Sequence, residues 1–311
     1  MVQRTHNGAR DRAGERFGRL LTAMVTPLDA DDEIDYDQAQ RLARALLASG
    51  SQGVVVGGTT GEAPTLNDEE KLSLFRAVKE AVGEDGAVIA GTGTYNTRES
   101  IDLSRQAEDA GVDGLLLTVP YYNKPPQEGL FRHFEEIAAA THLPCILYNI
   151  PGRTSVNLAP ETIIRLASIP NIVGVKEASG NMSQMCEVCR AVPPDFIVLS
   201  GDDALALPLM SVGGRGVISV ISNEIPSELA QMVEAAERDD FKAARAIHHR
   251  LMPLMSINFV EANPVPVKAA MTAMGLIEEV YRLPLVSPKP ESKEKILKVL
   301  KDLGLLKGAL V

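Results

Sequence analysis

A (β/α)8 barrel (TIM barrel) with a C-terminal helical extension is the fold class this sequence predicts, and three observations carry it. Short, β-branched apolar stretches recur eight times along the 311-residue chain. Each is followed by a stretch with the amphipathic period of a helix, and strict alternation of this kind builds a parallel sheet. Eight units favour a closed barrel over an open sheet. After the eighth unit the pattern changes to helices alone, which gives the extension.

The strands are expected at 21–25, 53–56, 87–90, 114–119, 144–148, 172–176, 196–200 and 216–220. Apolar runs this short read as strands buried on both faces. Helices are expected at 36–49, 67–82, 97–110, 128–140, 160–167 and 182–191. Asp68, Glu69, Glu70 and Glu161 place acids in first turns, where the helix dipole favours them. Gly50, Gly83 and Gly111 close helices. The final helices are expected at 227–238, 241–256, 264–274 and 292–303, more than one barrel helix can account for. The organisation read from this is a loose tail over 1–17, a barrel carrying the active site over 18–234, and a helical region over 235–311. No Gly/Ser-rich linker separates the last two.

Composition excludes several classes of function. Apolar residues make up 45% and charged residues 23%, as in a soluble globular protein. Apolar runs fall short of the roughly 18 residues of a membrane span. The first 19 residues hold five arginines and no signal-peptide core, so a cytoplasmic protein without membrane partners is expected. A net charge of −10 argues against nucleic acid and leaves any anionic substrate to a few local cations. Cys186 and Cys189 form a C-x-x-C without the second pair that structural zinc requires. The five histidines show no metal spacing, so neither metal nor cofactor is expected.

The chemistry-bearing residues follow the strands, on the face where barrel enzymes build their sites. Lys176 ends the sixth strand. A lysine in a dry pocket loses its charge readily, and the neutral amine can form a Schiff base with a carbonyl. The second strand runs into Gly57-Gly58-Thr59-Thr60-Gly61-Glu62, a turn whose amides and hydroxyls suit a carboxylate. It lacks the Gly-Lys-Ser/Thr ending of a P-loop, and Gly91-Thr92-Gly93-Thr94 lacks the third glycine of a dinucleotide site. Tyr121 and Tyr122 follow the fourth strand and Tyr148 ends the fifth. Such phenols could relay the protons that imine chemistry moves repeatedly. Arg153, five residues further on, offers a planar cation to a carboxylate.

Read together, Gly58-Thr59-Thr60-Gly61-Glu62, Pro120-Tyr121-Tyr122-Asn123, Tyr148-Asn149-Ile150-Pro151-Gly152-Arg153-Thr154, Lys176-Glu177-Ala178-Ser179-Gly180, Ser200-Gly201-Asp202-Asp203 and Glu261-Ala262-Asn263-Pro264 carry a resemblance. The chain resembles the dihydrodipicolinate synthase family, within the N-acetylneuraminate lyase superfamily of pyruvate-dependent aldolases, from about Gly18 to its end. The resemblance implies condensation of pyruvate with L-aspartate 4-semialdehyde, in lysine and diaminopimelate biosynthesis. It implies that Lys176 forms the Schiff base and that Tyr148 is the general acid/base. Thr60 would link Tyr148 to Tyr122, the latter donated across a dimer interface. Thr59 and Thr60 would bind the pyruvate carboxylate, Arg153 the carboxylate of the semialdehyde, and Gly201 and Ile218 would line the site. No cofactor is implied, and the assembly implied is a homotetramer built as a dimer of dimers. Arg153 favours the synthase over the sugar-acid aldolases and N-acetylneuraminate lyases of the superfamily, whose second substrate is a sugar-like aldehyde.

The regulatory pattern differs. Feedback-sensitive enterobacterial members have Ser-Ala at Ala63-Pro64, histidines at Asp68 and Lys71, and asparagine at Tyr95, whereas Glu99 and Tyr121 are kept. Lys71 would set a fixed cation beside a cationic effector. Weak or absent inhibition by L-lysine is therefore expected.

Overall fold

The computed structural model describes residues 16–306. Eight parallel strands close in sequence order: β1 Leu20–Ala23, β2 Gly53–Val56, β3 Ala87–Gly91, β4 Gly114–Thr118, β5 Cys145–Asn149, β6 Ile172–Glu177, β7 Ile197–Ser200 and β8 Gly216–Ser219. Each expected strand is present, with ends displaced by two residues at most.

Side chains alternate across the barrel wall, as the period of a strand requires. Leu21, Val55, Ile89, Leu116, Ile146, Leu199 and Ile218 fill the interior. Val54, Val56, Val88, Leu115, Leu117 and Val175 face outward and pack under the helices. Phe17 is fully buried in the interior cluster and meets β4 where Gly114 leaves room for its ring. Arg16 donates to Asp113 at 3.0 Å, and Asp113 also accepts from Lys79 and from the amide of Val88. The fold thus begins by Arg16, two residues before the boundary expected from the sequence; the tail over 1–15 lies outside the described residues.

Surrounding the sheet are α1 Tyr36–Ala48, α2 Asp68–Val82, α3 Thr97–Asp109, α4 Gln127–Ala139, α5 Pro151–Thr154, α6 Pro160–Leu166, α7 Met182–Ala191, α8 Ala206–Ser211 and α9 Pro226–Glu237. Two of these, α5 and α8, were not expected. At four and six residues they are too short to display a 3.6-residue apolar period. The chain then enters α10 Phe241–Ile257, capped by Asp240, followed by α11 Val265–Ala273 and α12 Pro290–Asp302. These pack on β8, α8 and α9 through a second apolar cluster that includes Leu229, Leu251, Leu254, Ile296 and Leu300. Among the described residues no helix is long and apolar enough to cross a membrane.

One buried ion pair ties the extension to the barrel mouth. Lys268 of α11, fully buried, donates to Glu62 at the end of the turn after β2 and lies 3.4 Å from the carbonyl of Thr26. Glu62 is itself 1% exposed and sits in the left-handed region at φ 58°. Removing one partner of such a pair strands the other charge in a low-dielectric site. Lys268→Met is expected to lower unfolding free energy by about 3–5 kcal/mol. The double variant Lys268→Met/Glu62→Gln should recover part of that loss, and urea unfolding of the two variants side by side measures it.

Candidate active site

The period of two that fills the barrel also aims its reactive lysine. With Val175 and Glu177 turned toward the helices, Lys176 points into the mouth, where it is 5% exposed. In the sheet it lies between Tyr148 on β5 and Leu199 on β7. Its Nζ stands 4.4 Å from the centroid of the Tyr148 ring. Burial, helped by the nearby Arg153 cation and opposed by Asp203, pushes the Lys176 ammonium down to about 8. At pH 7 roughly a tenth of the molecules then carry a neutral amine, against less than about a thousandth for an ordinary lysine.

The neighbours fit this side chain closely. A Cβ on Gly201 would lie 3.0 Å from Lys176 Cε and 3.1 Å from Cγ, so the glycine after β7 makes room for the lysine stem. Ile218, fully buried on β8, packs in the same interior cluster as Tyr148. Tyr148 is 3% exposed, and burial raises its phenol above the usual range, which keeps it protonated at neutral pH.

Thr59 and Thr60 have different surroundings. Thr59 is near enough to the Tyr148 phenol to lower it against the effect of burial. Thr60 is buried and its Oγ1 accepts from Asn263 Nδ2 at 3.0 Å. The turn also presses against β3: a Cβ on Gly91 would lie 2.2 Å from the Gly57 carbonyl oxygen, so only glycine permits that approach.

Arg153 lies on α5, at the rim of a cavity of about 520 Å³ lined also by Thr59, Ile150 and Thr154. Its Nη2 donates to the Asn263 carbonyl at 2.9 Å. The same cavity runs outward past Lys71, Tyr95, Glu99 and Tyr121. Tyr121 meets Tyr95 edge-on with ring centroids 5.1 Å apart. Tyr122 is not brought to the site within this chain. It is 90% exposed and holds φ 70°, a conformation unusual for a bulky side chain. Lys176, Tyr148, Thr59, Arg153, Gly201 and Ile218 therefore converge, Thr60 stands behind them, and Tyr122 points away.

Three supporting residues lie in motifs quoted from the sequence but receive no role from it. Asp203 is buried, and its Oδ2 accepts from the amides of Val220 and Ile221 at 3.0 and 3.1 Å. Glu177, fully buried behind Lys176, accepts from Ser179 N at 2.7 Å, Asn149 Nδ2 at 3.0 Å and Gln184 Nε2 at 3.2 Å. Strand alternation alone could have placed Glu177 on the face opposite its neighbour. Asn263 comes from the extension, and nothing local in the sequence marks its partners.

A partly neutral amine beside a protonated phenol, with a hydroxyl and a guanidinium close enough to act on them, can form an imine with a carbonyl acid. The depressed Lys176 gives the pH dependence its sign: the neutral fraction rises with pH. Trapping of pyruvate on Lys176 by borohydride is expected to increase through a midpoint near pH 8 and to vanish in Lys176→Ala. A midpoint above pH 10 would show that the site is not dry.

The dihydrodipicolinate synthetase family matches residues 16–303. The 4-hydroxy-tetrahydrodipicolinate synthase of Moorella thermoacetica is 56% identical over 291 residues, covering 94% of this chain and all of the relative. The crystal structure of dihydrodipicolinate synthase from Aquifex aeolicus superposes with a TM-score of 0.92 at 41% identity, covering 94% of this chain and 100% of that one. The enzyme from Cyanidioschyzon merolae, crystallised with lysine bound, gives 0.91 at 46% identity over 93% of this chain and 99% of its own. With the barrel, the buried strand-six lysine and likeness over almost its whole length, the chain belongs to the dihydrodipicolinate synthetase family.

Proposed function

We propose that this protein is a lyase that condenses pyruvate with L-aspartate 4-semialdehyde to give 4-hydroxy-tetrahydrodipicolinate, in lysine and diaminopimelate biosynthesis. The observation that carries the proposal is Lys176, buried beside the Tyr148 ring and with the Arg153 cation near enough to act on both. The names of the relatives at about 50% identity support it.

The neutral amine attacks the keto carbon of pyruvate, and loss of water gives a protonated imine. Tyr148 supplies the proton that lets hydroxide leave as water and then accepts one from the methyl group; Thr59 holds its hydroxyl in place. The resulting enamine carbon adds to the semialdehyde carbon, and the aldehyde oxygen takes up a proton. Attack by the semialdehyde's own amine on the imine carbon closes the ring and frees Lys176. Arg153 holds the semialdehyde carboxylate as a planar, permanently charged donor. Thr59 and the amides of its turn hold the pyruvate carboxylate, with Thr60 behind them. Gly201 and Ile218 shape the walls.

Tyr122 enters this scheme from a second copy. A phenol 90% exposed on a left-handed residue serves no purpose within one chain, and donation into a partner's site accounts for it. We place the enzyme in the cytoplasm as a homotetramer, a dimer of dimers.

The effector cleft is read in the same way. Lys71, paired with Asp68 at 3.1 Å, lines the outer part of the cavity with Glu99 and Tyr121. A cation already standing there opposes a second one. L-lysine at millimolar concentration is expected to leave the rate nearly unchanged, and strong inhibition in that range would refute this.

The decisive assay is pyruvate consumption with L-aspartate 4-semialdehyde as the only aldehyde. Arg153→Ala should reduce kcat/KM for the semialdehyde by several hundred-fold, about 3–4 kcal/mol of transition-state binding. Should the parent protein trap pyruvate yet ignore the semialdehyde, the imine chemistry stands and a sugar-acid aldehyde is the substrate.

A further inference from the structure

Asn263 reaches Arg153 and the turn proposed to hold the pyruvate carboxylate from a segment outside the barrel. Its side-chain amide donates to Thr60 Oγ1 at 3.0 Å, across 203 residues of sequence. Its backbone carbonyl accepts from Arg153 Nη2 at 2.9 Å, across 110. It is 5% exposed, so both contacts are made in a largely dry place where neither is readily exchanged for water. Its Oδ1 is buried and finds no partner among the described residues, which leaves the bond to Thr60 as the one hold on the side chain. The segment continues directly into α11, where Lys268 grips Glu62, three residues after Thr59 in the same turn.

We propose that Asn263 is a positioning residue that sets the two substrate carboxylate sites at a fixed separation, its side chain holding the pyruvate turn and its carbonyl holding Arg153. Arg153 lies on a four-residue helix and is otherwise exposed. A long cationic side chain in that setting has many rotamers, and ordering it on substrate binding carries an entropic cost that the Asn263 carbonyl removes in advance. On the other side, a Thr60 hydroxyl whose oxygen already accepts from Asn263 has its proton directed elsewhere, which fixes the donor geometry of the turn. The spacing between the two acid groups of the growing adduct is then set by one rigid residue rather than by two independent loops. Lys176, Tyr148 and Thr59 form no hydrogen bond with Asn263, so the reactivity of the amine should not depend on it.

The inference rests on the pyruvate and semialdehyde reading above, and the test separates the two. In Asn263→Ala the half-saturating pyruvate concentration for borohydride trapping should rise about fivefold, while the trapping rate at saturation and its pH midpoint stay as in the parent. This arm needs no aldehyde, and an unchanged half-saturation would overturn the inference whatever the second substrate is. In turnover, KM for the semialdehyde should rise about tenfold, because the backbone carbonyl that holds Arg153 remains in alanine but is no longer pinned by the side chain's bond to Thr60. Combining Asn263→Ala with Arg153→Ala should add nothing further to that KM, because an anchor has no effect on an absent side chain; additive losses would overturn the inference. A merely structural defect would lower the folded fraction and kcat while leaving both half-saturations in place, and that result too would overturn it. If Asn263→Ala fails to fold, Asn263→Asp keeps the shape but loses the amide donor and should show the same two shifts.

Discussion

A lysine that is to act as an amine near neutral pH, as proposed for Lys176, has to be kept out of water, and much of this structure meets that requirement. The barrel interior supplies the dryness, the Tyr148 ring covers the amine at 4.4 Å, and Gly201 lets the β7 end close over the stem. Desolvation alone would push the ammonium down without limit set by function. Asp203 opposes it, and the opposition is what leaves the amine titrating near 8. Asp203 can play that part because two backbone amides of the turn after β8 hold its carboxylate. The strand that carries Lys176 is fixed from behind as well, through Glu177 and the amides of Asn149 and Gln184. The two faces of one strand end thus do opposite work, reactive on one side and immobilised on the other.

Dryness also explains why the barrel is not sufficient by itself. The turn after β2 must present Thr59 to Tyr148 while its next residue, Thr60, faces the extension. Within the barrel Thr26 donates to the Gly61 carbonyl at 2.7 Å, whereas the Thr60 hydroxyl and the Glu62 carboxylate are paired from outside it. The segment from Asn263 to Lys268 supplies those partners, as a hydrogen bond and as a charge. The helical region is in this sense a wall of the site, although none of its side chains lines the cavity itself.

Much of this was legible in the sequence, and the limits follow from the range of the forces involved. Apolar periodicity is local, so all eight strands and the long helices could be placed to within two residues. Lys176, Tyr148 and Arg153 could be singled out because each follows a strand and each has chemistry that the fold's open end uses. The division of labour between Thr59 and Thr60 was not legible, since it depends on which way each residue of a turn points. Helices α5 and α8 were too short to declare a period. The side chains of Asn263 and Lys268 find Thr60 and Glu62 more than 200 residues away along the chain, and a linear reading carries no sign of such contacts.

That separation has a consequence for the chain as it is made. Glu62 leaves the ribosome 206 residues before Lys268, which at about 5–20 residues per second is an interval of roughly ten to forty seconds. Through that time the nascent barrel holds a glutamate with no counter-charge, and burying it alone would be strongly unfavourable. The turn bearing Thr59 and Thr60 therefore stays hydrated until the last quarter of the polypeptide arrives. Completion of the mouth thus waits on the extension, whose Lys268 is the counter-charge that Glu62 needs before it can be buried.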